Sequence, residues 1–283
     1  MTTTFLYSLR RHRLAMAGWG IGLGIIAAVV VIIYDSVADH FALIDQFMKT
    51  MPPIFTAFAG DAQMLKTPSG WLHMKYFVSL PVIFGPFAVM AGAGLLSADE
   101  ERGRLDLLMA YPTARWKIFF GRLTALFTAT AIILLAAWIG LVAALPFSTL
   151  EVTPAAAVLP FISLYALIIL FESFALLLSF ILGSRILAAG AAGVILIADF
   201  FIDALVYITR ALDPLARCLP YHYYQGGIAA EGFQLLPFLV LVGAAAVMIG
   251  LACWLFQRSD IRVMGEGTFR WPIVGRASRD RAS

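Results

Sequence analysis

The sequence predicts an all-α membrane protein with six transmembrane helices, both termini in the cytoplasm, and a short amphipathic helix between helices 2 and 3. Hydrophobic residues make up 61% of its 283 residues and charged residues only 13%. A soluble domain carries about 45–50% apolar and about 25% charged residues. A soluble fold of this composition would have too few polar side chains to cover its surface. Six apolar stretches approach or exceed the roughly 20 residues that a helix needs to cross a bilayer, so we expect the apolar surface to face lipid.

The six predicted transmembrane helices are long and apolar, with few charges. They cover about residues 14–34, 77–96, 119–145, 155–182, 186–208 and 235–256. Residues 1–257 are expected to form one transmembrane domain, and residues 258–283 a basic tail. A cleavable signal peptide is the alternative for helix 1, because Arg10, Arg11 and Arg13 precede it and residues 36–38 resemble a cleavage site. Signal-peptide apolar cores span about 7–15 residues, and this stretch is longer, so we expect helix 1 to be retained.

The orientation in the membrane follows from the positions of lysine and arginine. Fifteen of the 20 lie at the N-terminus, in the charged segment between helices 2 and 3 counted through Arg122, in the turn between helices 4 and 5, or at the C-terminal end. The five on the other side are Lys49, Lys66, Lys75, Arg210 and Arg217. Loops rich in these residues remain in the cytoplasm. Both termini are therefore predicted to be cytoplasmic, which agrees with an even number of helices.

Cysteine and histidine give no sign of a disulfide framework or a metal site. Cys253 lies within an apolar stretch, so we expect no disulfide with Cys218. The histidines are scattered without metal-ligand spacing, at His12, His40, His73 and His222. We therefore expect no metal ion in this chain.

The charged segment between helices 2 and 3 contains the predicted amphipathic helix. Leu105, Leu108 and Met109 lie at positions i, i+3 and i+4, so they form one apolar face. Pro112 ends the helix, because the residue before a proline disfavours the helical conformation.

The first turn of this short helix is acidic. Glu100 and Glu101 lie near its positive N-terminal end, and Glu100 precedes Arg104 by four residues, the favourable order for an ion pair. Such a helix can lie on the lipid surface, or it can insert its apolar face into a groove of another protein. Helices on the membrane surface usually have a basic polar face, because the inner leaflet is anionic. The acidic turn therefore favours a protein partner.

The same segment resembles a known family. Residues 100–115 read EERGRLDLLMAYPTAR. They are similar to the pattern acid-acid-x-Gly-x-Leu-Asp/Glu-Leu-Leu-x-x-x-Pro-x-x-Arg, found in the coupling helix of ABC-2-type permease subunits of ATP-binding-cassette transporters. Arg104 departs from the pattern, which more often has a small polar residue such as threonine there. Helix count, chain length and the segment between helices 1 and 2 are also similar, so the resemblance covers most of the chain.

The resemblance implies a permease that pairs with a second copy of itself or with a homologous permease. Its coupling helix would dock on a separately encoded ABC ATPase in the cytoplasm. The residues that match the motif, and are expected at the ATPase contact, are Glu100, Glu101, Arg104, Leu105, Leu108, Met109 and Pro112. Most members of the family export, so the implied function is export of a hydrophobic or amphipathic compound across a bacterial inner membrane.

The chain itself has no phosphate-binding loop. Such a loop needs Gly-Lys-Ser/Thr at a helix start, and none of the lysines follows a glycine. No catalytic residue is therefore expected here. ATP and Mg²⁺ are expected in the partner ATPase, and nucleic acid is not an expected partner.

Three acids lie within or near the predicted membrane core. A central aspartate costs about 2.5–3.5 kcal/mol on insertion scales, so each acid is expected to face protein or water. Glu172 and Asp199 are candidates for a substrate path that handles a cationic or amphipathic compound, with structural hydrogen bonding as the alternative. Asp203, one turn beyond Asp199, is expected to have the structural role.

Small residues at helical spacing mark possible close contacts between helices. Helix 1 has glycines at positions 18, 20, 22 and 24, and helix 5 has a run of alanine and glycine from 188 to 193. Small residues let helices approach closely in lipid. Gly18, Gly22 and Ala192 are candidates for the contact between two permeases, and packing within one chain is the alternative.

Two other function classes, a secondary transporter and an intramembrane protease, fit the sequence less well than a permease. An ion-coupled secondary transporter could use Glu172 and Asp199 as ion sites, but the two halves of the chain show no inverted repeat. An intramembrane protease is disfavoured, because Leu105 occupies the position of the arginine in a Glu-Glu-x-x-x-Arg motif. No His-Glu-x-x-His or Gly-x-Ser-x-Gly motif occurs either.

Overall fold

The computed structural model describes residues 2–41, 43, 46, 50, 64–100, 114–206 and 208–258, with the backbone alone for 2–3 and 98–100. Within this part the chain forms helices and short connections and no strand. Six of the helices are long and apolar enough to cross a membrane. The predicted fold class, an all-α membrane protein with six transmembrane helices, is confirmed.

The six long helices are labelled α1 to α6 in chain order. Their bounds are Thr2–Ala38, Leu80–Glu100, Arg115–Ala144, Pro154–Leu182, Arg185–Val206 and Leu235–Arg258. Shorter helical turns connect them, at Met64–Lys66, Pro68–Leu72, His73–Phe77, Leu145–Phe147, Arg210–Leu212, Asp213–Ala216, Pro220–Tyr223 and Gly226–Ala230.

Three helices differ most from the expected bounds, mainly where charged residues adjoin the apolar stretch. α1 begins at Thr2 rather than at residue 14, and α3 begins at Arg115 rather than at 119. α2 begins at Leu80 rather than at 77 and continues to Glu100 rather than ending at 96. Arginine and glutamate are good helix formers, so a helix continues past the point where hydropathy stops indicating a membrane span.

The connections place the two ends of the bundle. The start of α1, the end of α2, the start of α3, the turn between α4 and α5 and the end of α6 share one end, here called the basic end. A buried apolar cluster joins α2, α3, α4 and α6 there, and it includes Leu96, Phe119, Leu176 and Phe256. The short turns at 64–77, 145–147 and 210–230 lie at the opposite end.

α4 occupies the centre of the bundle. In its most apolar stretch 72% of the residues are buried, against 22% in α5 and 17% in α6. α5 and α6 therefore leave most of their surface to lipid or to another chain.

α1 packs closely along α3. A Cβ at position 140 would lie 2.5 Å from the Cα of Gly24, and a Cβ at position 20 would lie 2.9 Å from the Cβ of Ala136. Glycine at these positions lets the two backbones meet. Leu23 and Ala27 of α1 are also buried in the core, so α1 packs as an integral part of the bundle. Retention of helix 1 stays a prediction.

Candidate functional site

Glu172 lies in the middle of α4 with none of its side chain exposed. Its Oε1 accepts a hydrogen bond of 2.6 Å from Oγ1 of Thr130 on α3. Its Oε2 has no hydrogen-bond partner within the described residues. Burial of a carboxyl oxygen without a partner is costly and uncommon in native proteins. Glu172 is therefore a candidate for a group whose surroundings change as the protein works.

α2 crosses α4 at the backbone of Glu172. A Cβ on Gly92 would collide with the carbonyl group of Glu172, so only glycine permits this approach. Glu172 consequently lies where α2, α3 and α4 meet. The sequence singled out Glu172 but not Gly92 or Thr130, because an isolated glycine or threonine in an apolar stretch carries no mark of its contact.

Asp199 has a different environment on α5. It is also fully buried, and its Oδ2 accepts a 3.0 Å hydrogen bond from the backbone N–H of Tyr221, in the turn Pro220–Tyr223. Its Oδ1 has no partner within the described residues. Asp199 therefore holds a connection of the opposite end against α5. Its hydrogen bond is local to that end, so it shares no hydrogen-bond partner with Glu172.

Asp203 lies one turn beyond Asp199 on α5 and is partly buried. Its position near the end of α5 is the one expected for an acid that reaches the membrane boundary.

The opposite end is held by hydrogen bonds between side chains and backbone that join distant parts of the chain. The hydroxyl of Tyr221 donates to the carbonyl of Val78 at 2.5 Å, and the hydroxyl of Tyr224 donates to that of Phe77 at 3.0 Å. The backbone N–H of Gly227 donates to Nδ1 of His73 at 3.1 Å. These contacts fasten the connection between α5 and α6 onto the segment that leads into α2.

His73 contributes to this end as a neutral imidazole. Burial lowers the pKa of His73 to about 4 from its ordinary value of 6.5, because a charged imidazole loses hydration there. A neutral ring can also accept the hydrogen bond from Gly227, which a protonated ring cannot.

The small residues of α1 separate into two faces. Gly20 and Gly24 lie against α3, whereas a Cβ added at Gly18 or Gly22 would meet open space. Of these four glycines, Gly20 and Gly24 therefore serve packing within one chain, and Gly18 and Gly22 do not. Ala192 of α5 is fully buried inside the chain's own core, so it does not lie on the open surface with Gly18 and Gly22.

The predicted coupling segment falls almost entirely outside the described residues. Glu100 is the last residue of α2, described by its backbone alone. The remaining predicted residues, Glu101, Arg104, Leu105, Leu108, Met109 and Pro112, lie in 101–113, which the structure does not describe. Their role stays a prediction.

The helices on both sides of that segment are joined to each other. Arg122 is only 4% exposed, and its Nη1 donates a 3.1 Å hydrogen bond to the carbonyl of Leu95. The end of α2 is thus fixed to the first turns of α3. The count of positive charge places Arg122 with the charged segment between α2 and α3. Such a count uses position in the sequence alone, so it does not show that the guanidinium turns back into the bundle.

Comparison with known proteins identifies the family. A model of the family described as "ABC-2 family transporter protein" matches residues 16–261. This match begins inside α1 and includes the other five long helices and the segment 101–113. Among curated proteins, none gives a significant match. Since the family match covers most of the sequence, the chain belongs to the ABC-2 family of transporter proteins and is a multi-pass membrane protein.

Proposed function

We propose that this chain is the membrane subunit of an ATP-driven exporter of hydrophobic or amphipathic compounds, energised by a separate ABC ATPase. The family match over residues 16–261 carries this proposal, because ABC-2 membrane proteins associate with ABC ATPases. ATP and Mg²⁺ belong to that partner. The basic end and both termini face the cytoplasm of a bacterial cell, since fifteen of the 20 lysines and arginines lie on that side.

The contacts at the basic end support a route for mechanical coupling. A force on segment 101–113 acts on α2 and α3 together, because Arg122 holds the carbonyl of Leu95. One turn further into the membrane, α2 reaches Gly92 against α4, and further along α3 Thr130 donates to Glu172. Movement of α2 and α3 relative to α4 therefore alters the surroundings of a buried acid. Glu172 is the residue we assign to the substrate path.

The first experiment tests the coupling helix. The double variant Leu105→Asp/Leu108→Asp places charge on the predicted apolar face and is expected to abolish co-purification of the ATPase and nucleotide-dependent transport. Leu107→Asp is the matched control, because Leu107 lies on the other side of the predicted helix, about 150° from the centre of that face. If ATPase binding survives the double change, or Leu107→Asp abolishes it equally, the coupling assignment is wrong.

The second experiment tests pairing of two permeases. Gly18 and Gly22 face open space on α1, so we propose that they contribute to the contact with a second copy or a homologous permease. In a background with Cys218 and Cys253 replaced by serine, cysteine at position 22 should cross-link two chains in the membrane. Cysteine at Ala192 is the control, because this position is buried in its own chain. Absence of a cross-linked product at both 18 and 22 would reject this face.

An ion-coupled secondary transporter is the second candidate. Its supporting observation is the buried Glu172 with one oxygen unpartnered within the described residues. Proteoliposomes that contain the purified chain alone distinguish the two functions. Transport driven by an ion gradient without any ATPase would favour the ion-coupled mechanism and exclude the proposed one.

A further inference from the structure

A cavity of about 210 Å³ lies at the basic end, separate from Glu172 and Asp199. Its walls come from the start of α1, the last turns of α2, the start of α3 and the start of α5. Four side chains with basic groups line it: Arg11, His12, Arg122 and Arg185. Among the described residues that line it, none is acidic. The cavity is therefore suited to an anion.

Two of the arginines are positioned by the fold. Arg122 is buried and anchored to the carbonyl of Leu95. The guanidinium of Arg185 lies over Gly94, where a Cβ would come within 3.0 Å of its Nε. The hydroxyl of Ser8, which is 9% exposed, adds a further donor to the lining. Planar guanidinium groups bind phosphate oxygens through paired charge-assisted hydrogen bonds.

The end of the bundle that contains the cavity carries two markers of the boundary between water and lipid. At the same end, Lys117 lies 5.6 Å from the ring of Trp116, and Arg258 lies 4.3 Å from the ring of Trp254. Tryptophan with an adjacent cation marks the boundary between water and lipid. The two tryptophans, on α3 and α6, thus place the basic end at that boundary.

Two side chains that line the cavity are also exposed on the outer surface of the bundle. Tyr7 of α1 and Met90 of α2 both line it, and they are 58% and 54% exposed. Apolar and amphipathic side chains on this surface face lipid, so a headgroup can enter from the bilayer while its acyl chains remain outside.

We propose that this cavity binds a phosphate group, presented by the headgroup of an anionic lipid in the leaflet at the basic end. The site goes beyond the proposed export function, because it requires neither an ATPase nor a cargo. A bound phosphate would connect α1, α2, α3 and α5 beside the predicted coupling segment. Anionic lipid would then adjust how readily the ends of these helices move.

The test uses the full-length purified chain in neutral detergent. Phosphatidylglycerol or phosphatidylcholine is titrated, and the bound fraction is measured by native mass spectrometry. The wild type is expected to bind phosphatidylglycerol more tightly. Arg11→Gln/Arg185→Gln should weaken this binding roughly thirtyfold, because each cation near a membrane surface contributes about fivefold. Arg185→Lys keeps the charge but loses the planar guanidinium, so it should weaken binding less than Arg185→Gln does. Thermal unfolding of each variant in the same detergent should match that of the wild type, which separates loss of binding from misfolding.

A matched control removes the same charge elsewhere on α1. Arg10→Gln/Arg13→Gln changes two exposed arginines that do not line the cavity, and it should weaken binding only slightly. Equal weakening by both double variants would show attraction to surface charge alone and overturn the proposal. Equal binding of the two lipids, unaffected by Arg11→Gln/Arg185→Gln, would also overturn it.

A third arm separates the two sources of phosphate. Inorganic phosphate is added to the complex with phosphatidylglycerol and, separately, to the protein without lipid. Displacement of the lipid shows that the phosphate group itself is recognised. Binding of inorganic phosphate without binding of the lipid would assign the cavity to soluble phosphate and reject the lipid as its source.

Discussion

The two ends of the bundle are built in contrasting ways. At the opposite end, the hydroxyls of Tyr221 and Tyr224 donate hydrogen bonds, and Nδ1 of His73 accepts one. These bonds fasten the connection between α5 and α6 to the segment that leads into α2. At the basic end the described residues enclose a cavity lined by arginines, and one guanidinium, that of Arg122, joins α2 to α3. The opposite end is therefore a fixed cap, and the basic end has room for helix movement. An ATPase that docks at the basic end would act beside this cavity.

Two glycines on α2 give the sharpest test of this contrast. Gly92→Ala puts a methyl group against the carbonyl of Glu172, whereas Gly94→Ala meets only the flexible side chain of Arg185 beside the cavity. Overpacking against backbone costs about 1–3 kcal/mol, so Gly92→Ala should lower the free energy of unfolding by about 2 kcal/mol. Gly94→Ala should change it by less than about 0.5 kcal/mol. Thermal unfolding in detergent measures both, and equal losses would contradict the contrast.

The buried acid between the two ends should affect transport more than folding. Glu172→Gln keeps an oxygen that can accept from Thr130, so the bundle and ATPase binding should be preserved. Removing the acid from the crossing of α2, α3 and α4 should change the transport rate roughly fivefold, which corresponds to a coupling of about 1 kcal/mol. Transport assays in vesicles with ATPase co-purification measure this. Unchanged transport with normal ATPase binding would remove Glu172 from the substrate path.

Two neighbouring tyrosines test whether the opposite end is a fixed cap. Tyr224→Phe removes a buried hydroxyl that donates to the carbonyl of Phe77, and it should cost about 1 kcal/mol of unfolding free energy. Tyr223→Phe removes a hydroxyl that donates to Arg217 at an exposed site, so it should cost less than about 0.5 kcal/mol. Chemical or thermal unfolding compares them. Equal losses of unfolding free energy would show that the buried hydrogen bond stabilises the cap no more than the exposed one does.

Mild acid should loosen the cap through His73. Because burial lowers the pKa of His73 to about 4 in the fold from 6.5, the unfolded chain binds a proton more readily between these values. The contribution of neutral His73 to the free energy of unfolding is fully present above pH 6.5, and it declines as the pH falls towards 4. At pH 6 the free energy of unfolding should be lower by under about 1 kcal/mol than at high pH. His73→Asn, compared with the wild type at pH 7.5 and pH 6, should show a smaller pH dependence; an equal dependence in both would exclude His73.

Much of the helical framework is predictable from local sequence. Six apolar stretches correspond to six long helices because a membrane span must satisfy its backbone hydrogen bonds within itself. The helix ends were less predictable at Thr2 and Glu100, since polar residues of high helix propensity extend a helix without raising its hydropathy. Of the candidate site, the sequence identified Glu172 and Asp199 as costly acids. It did not identify their partners, Thr130 and the backbone of Tyr221.

By itself the sequence determined the membrane class, the number of helices, the accumulation of positive charge on one side and the resemblance to ABC-2 permeases. These properties depend on composition and on patterns within a few turns of chain. Only the tertiary structure decided which glycines of α1 face α3, that Ala192 is buried, and that the basic groups of α1, α3 and α5 line one cavity. The physical reason is that helix packing in lipid depends on the shape of two facing surfaces, and residues far apart in the chain form those surfaces.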